Sequence, residues 1–130
     1  ESNLNGREPM ARIVAHTTHS IHPSEFTLAP IGAIEKLLEK TGWSADSVDL
    51  FEINEAFAMV TMLTMQALNL SHDRVNIYGG ACAQGHPIGS TGSRLIVTLA
   101  HALQQHDKQR GIAALCIGGG EATAVALERA

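Results

Sequence analysis

The sequence predicts an α/β fold with the element order β-α-β-α-β-α-β-β. Short β-branched runs recur along the 130 residues, and amphipathic or apolar segments of helical length separate them. Glycine or proline marks most junctions between these segments. Such alternation implies one mainly parallel sheet with helices on both faces, and 130 residues suffice for one such core.

The first half of the chain gives two strands and two helices. The run ARIVAHT predicts a strand over residues 11–17, and a loop with two prolines follows it. Pro30 is suited to the first turn of a helix, and Gly42 is suited to its end. Residues 47–54, SVDLFEIN, form the second predicted strand. The Met- and Ala-rich run over 55–68 contains no helix breaker and predicts a largely buried helix.

The second half gives one helix and three strands. DRVNIYGG contains a predicted third strand, and residues 90–106 form the third helix. GIAALCIGG and ATAVALE are the fourth and fifth strands, with only a glycine turn between them. A connection this short requires the last strand to run antiparallel to the fourth. The expected sheet is therefore mixed and five-stranded, over a domain of residues 11–130 that follows a polar linker or truncated connector at 1–10.

Composition narrows the class of protein. The net charge is −4 without a Lys/Arg run, which argues against a nucleic-acid partner. No apolar run reaches about 18 residues, so no membrane span is expected. The first residues lack the apolar core of a signal peptide, and there are only two cysteines. These features favour a reducing, cytoplasmic location.

Three groups that could take part in catalysis follow predicted strands. Asn54, the glycine-rich loop that starts at Gly79, and Cys116 all lie at strand carboxyl ends. In sheets of this kind active residues gather at that edge. We therefore expect these groups to converge.

His86 lies in a Gly-His-Pro sequence just before a helix. Gly85 permits unusual backbone angles, Pro87 restricts the histidine backbone, and the helix N-terminus disfavours an imidazolium. A neutral ring suits a base or hydrogen-bonding role. A loop histidine that bonds a backbone carbonyl explains the pattern equally well.

Cys116 and Asn54 also have two interpretations each. The glycines from Gly118 onward leave N–H groups free to stabilise an oxyanion near Cys116. Cysteine is, however, often a small buried apolar residue. Asn54 either directs its amide into the cleft or caps the following helix.

Two other patterns do not predict a site. His16, His19 and His22 leave a strand and enter a proline-containing loop, with no further ligand to complete a tetrahedral set. No metal site is expected there. The triple glycine at 118–120 opens no helix, so it fails as a dinucleotide-binding motif.

Three motifs in order, NEAFA, GGACAQGHPIGSTGSR and CIGGG, resemble the thiolase family, the acetyl-CoA C-acetyltransferases. The resemblance extends from about Pro9 onward and is to the C-terminal half only. It implies a thiolase-like half-fold and Claisen condensation of two acetyl-CoA to acetoacetyl-CoA, or the reverse thiolysis of 3-ketoacyl-CoA. The coenzyme A thioester is then the substrate, no cofactor is needed, and the setting is fatty acid metabolism.

The resemblance also implies residue roles. His86 would activate the nucleophilic cysteine and bind the thioester oxygen, Cys116 would act as acid and base, and Asn54 would hold a water in an oxyanion hole. The N–H of Gly118 would contribute to a second oxyanion hole. Ala56 and Phe57 would line the acyl and pantetheine pocket.

One element of the family is not found in this sequence. Nothing matches the nucleophilic cysteine of the N-terminal half, and Cys82 is expected to be a small packed residue rather than a substitute. The resemblance therefore implies an inactive isolated domain with an exposed apolar face. Its partners would be the N-terminal half and further copies in a dimer or tetramer.

Two other functions share features with this sequence. The alternative from another class is a stand-alone domain for acyl-CoA binding or protein association. A ketoacyl synthase relative would share the fold, but CIGGG argues against it.

Overall fold

The computed structural model describes residues 6–130, in which four strands and four helices form one α/β unit. Residues 1–5 of the predicted linker lie outside the described residues, and residues 6–10 lead into the first strand. The strands are β1 (Ala11–Ser20), β2 (Leu50–Ile53), β3 (Arg110–Ile117) and β4 (Glu121–Arg129). The helices are α1 (Ala29–Thr41), α2 (Ala58–Leu68), α3 (Ala81–Gln84) and α4 (Thr91–Gln105). Short 3₁₀ segments span Pro23–Leu28, Ala45–Ser47 and His72–Arg74, the first of them kinked at Glu25.

The sheet is mixed and has the order β1-β4-β3-β2. β2 and β3 are parallel, whereas β4 is antiparallel to both of its neighbours, β3 and β1. The prediction of an antiparallel last strand is therefore confirmed. β1 continues to Ser20, beyond the predicted end, because its pairing with β4 extends to the Ser20–Glu121 position.

The predicted third strand, and with it the five-stranded sheet, is wrong: within residues 6–130 the sheet has four strands. Val75 makes only an isolated parallel bridge to Phe51. The next residue, Asn76, has φ 49, which is a left-handed conformation that no strand can contain. Its side chain continues the pairing instead, since Oδ1 accepts from the N–H of Ile53 at 2.8 Å and Nδ2 donates to the carbonyl of Ile53 at 2.8 Å.

The helices follow the sequence in part. α1 begins with Pro30 in its first turn and ends at Gly42, whose φ of 70 is the left-handed cap expected of glycine. α2 begins at Ala58 rather than at residue 55. It is also less buried than expected, because Met59 and Met62 are 51% and 67% exposed. Within residues 6–130, the buried residues of α2 are Val60, Thr61 and Thr64, which share one side of the helix.

Two hydrophobic clusters cover the two faces of the sheet. α1 packs on the face that carries Phe51, Ile53 and the even-numbered alanines of β4. α4 packs on the opposite face, where Leu99 and Leu103 contact the cluster of Leu50 and Leu127. Helices on both faces are thus confirmed. Among residues 6–130, no helix combines the length and the apolar character that a membrane span requires.

Candidate active site

A cavity of about 490 Å³ opens at the carboxyl ends of β2 and β3, where the loops before α4 and after β3 meet. Four of the six predicted site residues line it, namely Ala56, His86, Cys116 and Gly118. Asn54 lies directly behind His86. Phe57 does not line the cavity; it is 58% exposed and packs edge-on against Phe26 of the cavity wall, with ring centroids 6.0 Å apart.

The glycine-rich loop holds His86 between the short helix α3 and the first turn of α4. α3 closes with the N–H of Gly85 donating to Ala81, and the φ of 91 at Gly85 turns the chain toward the cavity. Pro87 then accepts hydrogen bonds from the N–H groups of Ser90 and Thr91, which starts α4. The backbone on both sides of His86 is therefore fixed within a few residues.

The hydrogen bonds of His86 define its tautomer. The hydroxyl of Thr91 donates to the carbonyl of Pro87 at 3.1 Å, which uses its only hydrogen. Thr91 must then accept the 2.7 Å bond from Nδ1–H of His86. In the neutral ring this leaves the lone pair on Nε2. His86 is thus bound by side chains, not by a backbone carbonyl, and its basic nitrogen is Nε2.

Asn54 is buried at the end of β2, and it is not a helix cap. Its backbone N–H donates to Ala114 of β3 at 2.9 Å, so it extends the parallel pairing, and α2 starts only after Phe57. The side-chain Nδ2 lies 3.4 Å from Nε2 of His86, and Oδ1 accepts from Nη2 of Arg94 at 3.2 Å. The amide therefore belongs to the site.

Cys116 is half-buried, and burial raises the pKa of its thiol. A lowered thiol pKa would favour a role as a base, but in this chain the pKa of Cys116 is raised, so the thiol keeps its proton at neutral pH. A protonated thiol at this position is a proton donor toward the cavity. Gly118 lines the cavity, and no atom lies within 4 Å of the position where a Cβ would stand.

Cys82 is exposed, which contradicts its interpretation as a packed residue. Its backbone N–H donates to Oε2 of Glu55 at 2.9 Å. A hydrogen bond to the same carboxylate raises the pKa of the Cys82 thiol. A thiol of raised pKa is a poor nucleophile, which agrees with leaving Cys82 out of the chemistry.

The histidines of β1 do not converge. His16 and His19 are three residues apart in a strand, so they lie on opposite faces of the sheet, and His22 bonds Ser24 instead. Within residues 6–130, no group of three or more His, Cys, Asp and Glu side chains is arranged to hold a metal ion.

Sequence reasoning missed three residues of the site: Phe26, Arg94 and Glu52. Phe26 lines the cavity from the 3₁₀ turn before α1. Glu52 gave a usable signal, because it is the only charged residue in the apolar strand LFEI. No sequence signal pointed to Arg94, because arginine is common in the first turn of helices that face solvent.

Glu52 is 1% exposed, and its Oε2 has no hydrogen-bond partner. Burial raises the pKa of this carboxyl to about 7, although the positive charge of Arg94 opposes the shift and the negative charge of Glu55 adds to it. Folding thus increases the proton affinity of Glu52.

The stability of the chain should fall as pH rises from about 4.5 to about 7, relative to a Glu52→Gln variant. A carboxyl whose pKa is raised in the folded state stabilises fully below its unfolded pKa, and this contribution is lost as pH rises through the folded pKa. A shift from 4.5 to about 7 corresponds to about 3 kcal/mol. Urea unfolding at pH 5, 6, 7 and 8 measures the difference between the two proteins.

The matched control is Glu35→Gln, which removes an exposed carboxylate from α1. Its free energy of unfolding should follow that of the wild type across the series. Parallel curves for wild type and Glu52→Gln would show that Glu52 keeps an ordinary pKa.

Comparisons with known proteins agree with this geometry. Residues 7–129 match the family model described as thiolase, C-terminal domain. The cytosolic acetyl-CoA acetyltransferase of Mus musculus is 48% identical over 94% of this chain. The crystal structure of the Bacillus anthracis acetyl-CoA acetyltransferase superposes with a TM-score of 0.93 at 42% identity over 96% of this chain. The crystal structure of a thiolase of Ascaris suum, solved in complex with coenzyme A, superposes with a TM-score of 0.90 at 41% identity over 95% of this chain.

These relatives are longer proteins. This chain spans 31% of the mouse protein and 32% of each of the two solved chains. The match covers the cavity, the loop of His86 and the turn after Cys116. The chain therefore belongs to the thiolase family, of which it carries the C-terminal domain.

Proposed function

We propose that this chain is the C-terminal catalytic domain of an acetyl-CoA acetyltransferase, an acyltransferase that condenses two acetyl-CoA or cleaves acetoacetyl-CoA with coenzyme A. The observation that carries the proposal is that His86 and Cys116 line one cavity, the first with its lone pair on Nε2 and the second with a protonated thiol. A base and an acid in one apolar cavity suit proton transfer next to a thioester.

His86 and Asn54 act at the thioester oxygen and the attacking thiol. Nε2 of His86 accepts the proton of a nucleophilic thiol, and Asn54 directs its amide hydrogens toward the same point or toward a water held there. Oriented donors of this kind stabilise an oxyanion more strongly than bulk water does, because they need no reorganisation.

Cys116 and Gly118 act at the second reaction centre. Cys116 donates a proton to the leaving enolate in cleavage and, as the resulting thiolate, removes one from C2 of acetyl-CoA in condensation. The N–H of Gly118 stabilises the enolate oxygen. Ala56 forms the wall of the acyl site, and Phe57 supports it through Phe26. The volume of about 490 Å³ suits an acyl-pantetheine arm rather than a whole coenzyme A.

The nucleophilic cysteine comes from a second, N-terminal half in this proposal. The chain has only Cys82 and Cys116, and neither has the lowered pKa of a nucleophile. Large apolar side chains that are exposed in this chain are candidates for contact with that half and with further copies in a dimer or tetramer: Ile13, Phe57, Met59, Met62, Ile88 and Val97. The name of the cytosolic mouse relative supports a cytoplasmic location.

Cleavage of acetoacetyl-CoA tests the proposal. The 130-residue chain alone should show no turnover. A chimera in which residues 7–129 replace the matched segment of the Bacillus anthracis enzyme should cleave acetoacetyl-CoA, and Cys116→Ala in the chimera should abolish that cleavage. Both proteins are checked for folding by circular dichroism.

Two results would contradict parts of the proposal. Turnover by the chain alone that disappears in Cys116→Ala would show that no second half is needed. A folded chimera without turnover, together with tight binding of coenzyme A by the chain alone, would favour the alternative of a stand-alone acyl-CoA-binding domain.

A further inference from the structure

Arg94 lies in the first turn of α4, directly behind the candidate active site. Its Nη2 donates to Oδ1 of Asn54 at 3.2 Å, while its Nε and Nη1 are buried without a hydrogen-bond partner. A buried guanidinium is costly unless its N–H groups are bonded or face a negative charge. The single bond to Asn54 is therefore charge-assisted and stronger than a bond between neutral groups.

This bond allows only one orientation of the Asn54 amide. A guanidinium has no acceptor, so a flipped amide would place its NH₂ group against the N–H groups of Arg94. With Oδ1 facing Arg94, Nδ2 must face Nε2 of His86, as the 3.4 Å separation shows. Arg94 thus decides which end of the amide reaches the histidine.

We propose that Arg94 is a positioning residue that fixes the Asn54 amide with its NH₂ group toward Nε2 of His86. Its importance for catalysis rests on the function proposed above, whereas the placement itself is a property of this chain.

Glu52 provides the opposing charge for Arg94. Residues 52 and 54 are two apart on β2 and its extension, so they share the face that α4 covers. Glu52 and Arg94 attract one another across this interface without a hydrogen bond to Oε2, Nε or Nη1. Because the pKa of Glu52 is about 7, its carboxyl attracts the guanidinium only at neutral and higher pH, whereas Asn54 is the hydrogen-bonded partner of Arg94.

The long contact to His86 suits a nitrogen that must exchange a proton. At 3.4 Å the bond from Nδ2 to Nε2 is weak, so it orients the ring without tying up the lone pair. The short 2.7 Å bond to Thr91 holds the opposite nitrogen. Asn54 and Thr91 together keep Nε2 as the basic nitrogen. Arg94 in turn holds the amide of Asn54 in the orientation that this requires.

The placement is tested by NMR on the 130-residue chain, independently of any activity. In the wild type, slow solvent exchange of the Arg94 guanidinium and a contact between its hydrogens and the Asn54 side chain are expected, in contrast to the exposed Arg12. In Arg94→Met, the Asn54 side-chain amide should exchange about tenfold faster, the effect of losing one charge-assisted hydrogen bond. Arg12→Met is the matched control and should leave this exchange unchanged.

Rapid exchange of the Arg94 guanidinium in the wild type, at the rate of Arg12, would overturn the proposal, and this measurement needs no variant to fold. Unchanged exchange of the Asn54 amide in a folded Arg94→Met chain would overturn it as well. In Arg94→Lys, which retains the charge, the Asn54 side-chain amide should exchange at a rate between those of the wild type and Arg94→Met.

The consequence for catalysis is tested in the chimera. Arg94→Met should lower kcat for cleavage about tenfold with KM changed less than about twofold, because the amide orientation acts on the reacting groups and not on the binding of coenzyme A. Arg94→Lys should restore part of kcat. An active chimera whose kcat is insensitive to Arg94→Met overturns the positioning role. An inactive wild-type chimera with the NMR contacts intact contradicts the proposed function and leaves the placement of Arg94 confirmed.

Discussion

Replacing His86 with alanine is expected to lower the rate of acetoacetyl-CoA cleavage in the chimera by about 10²- to 10⁴-fold, the usual effect of losing a general base. The reason is that His86 lines the cavity and carries a basic lone pair on Nε2. Without it, the attacking thiol loses its proton acceptor. Steady-state cleavage at saturating coenzyme A measures the loss.

The matched control is His101→Ala, which removes an exposed histidine from the same helix that follows the His86 loop. Its rate should equal that of the unmodified chimera. His86→Ala also removes one hydrogen-bond partner from each of Thr91 and Asn54, at a cost of about 1–3 kcal/mol, so unfolding is measured alongside. A folded His86→Ala chimera with nearly full activity would refute the assignment of His86 as the base.

Replacing Gly120 with alanine is expected to destabilise the chain by about 3 kcal/mol. Gly120 has a φ of 87, and a Cβ there would lie 2.5 Å from the carbonyl oxygen of Ile21. A left-handed conformation costs a non-glycine residue about 1–2 kcal/mol, and relief of a backbone clash adds a comparable amount. Urea unfolding of the 130-residue chain measures the change.

Gly118→Ala is the control within the same turn. Its Cβ would meet nothing within 4 Å, and its φ is not in the left-handed region, so a change below about 0.5 kcal/mol is expected. Equal stability of the two variants would show that the turn relaxes freely. The Gly120 effect should also reach the cavity, because Ile21 precedes the 3₁₀ turn that carries Phe26.

The sequence predicted the elements whose signals are local. Pro30 and Gly42 define both ends of α1 through their own backbone preferences, and the short glycine turn between β3 and β4 permits only an antiparallel hairpin. The convergence of Asn54 and Cys116 followed from strand ends meeting at one edge, whereas the strand expected before the His86 loop is not formed, so the position of that loop was predicted on a wrong premise. None of these predictions required knowledge of a distant contact.

The misses involve contacts between residues far apart in the sequence. The third strand fails because Asn76 bonds Ile53 through its side chain, and the pairing of Asn76 with Ile53 is invisible in the local pattern VNIY. The burial of α2 was overestimated, because an apolar helix does not indicate which of its sides this chain covers. Arg94 and Glu52 acquire a role only once α4 lies across β2.

The amide of Asn76 has a further consequence for how the chain meets other proteins. An outermost strand normally displays free N–H and C=O groups that can recruit a strand from another molecule. Beside β2, the N–H and the C=O of Ile53 are both occupied by this one side chain. Asn76 thus also protects the outer edge of β2 against pairing with a strand of a neighbouring molecule, which is the first step toward insoluble aggregates.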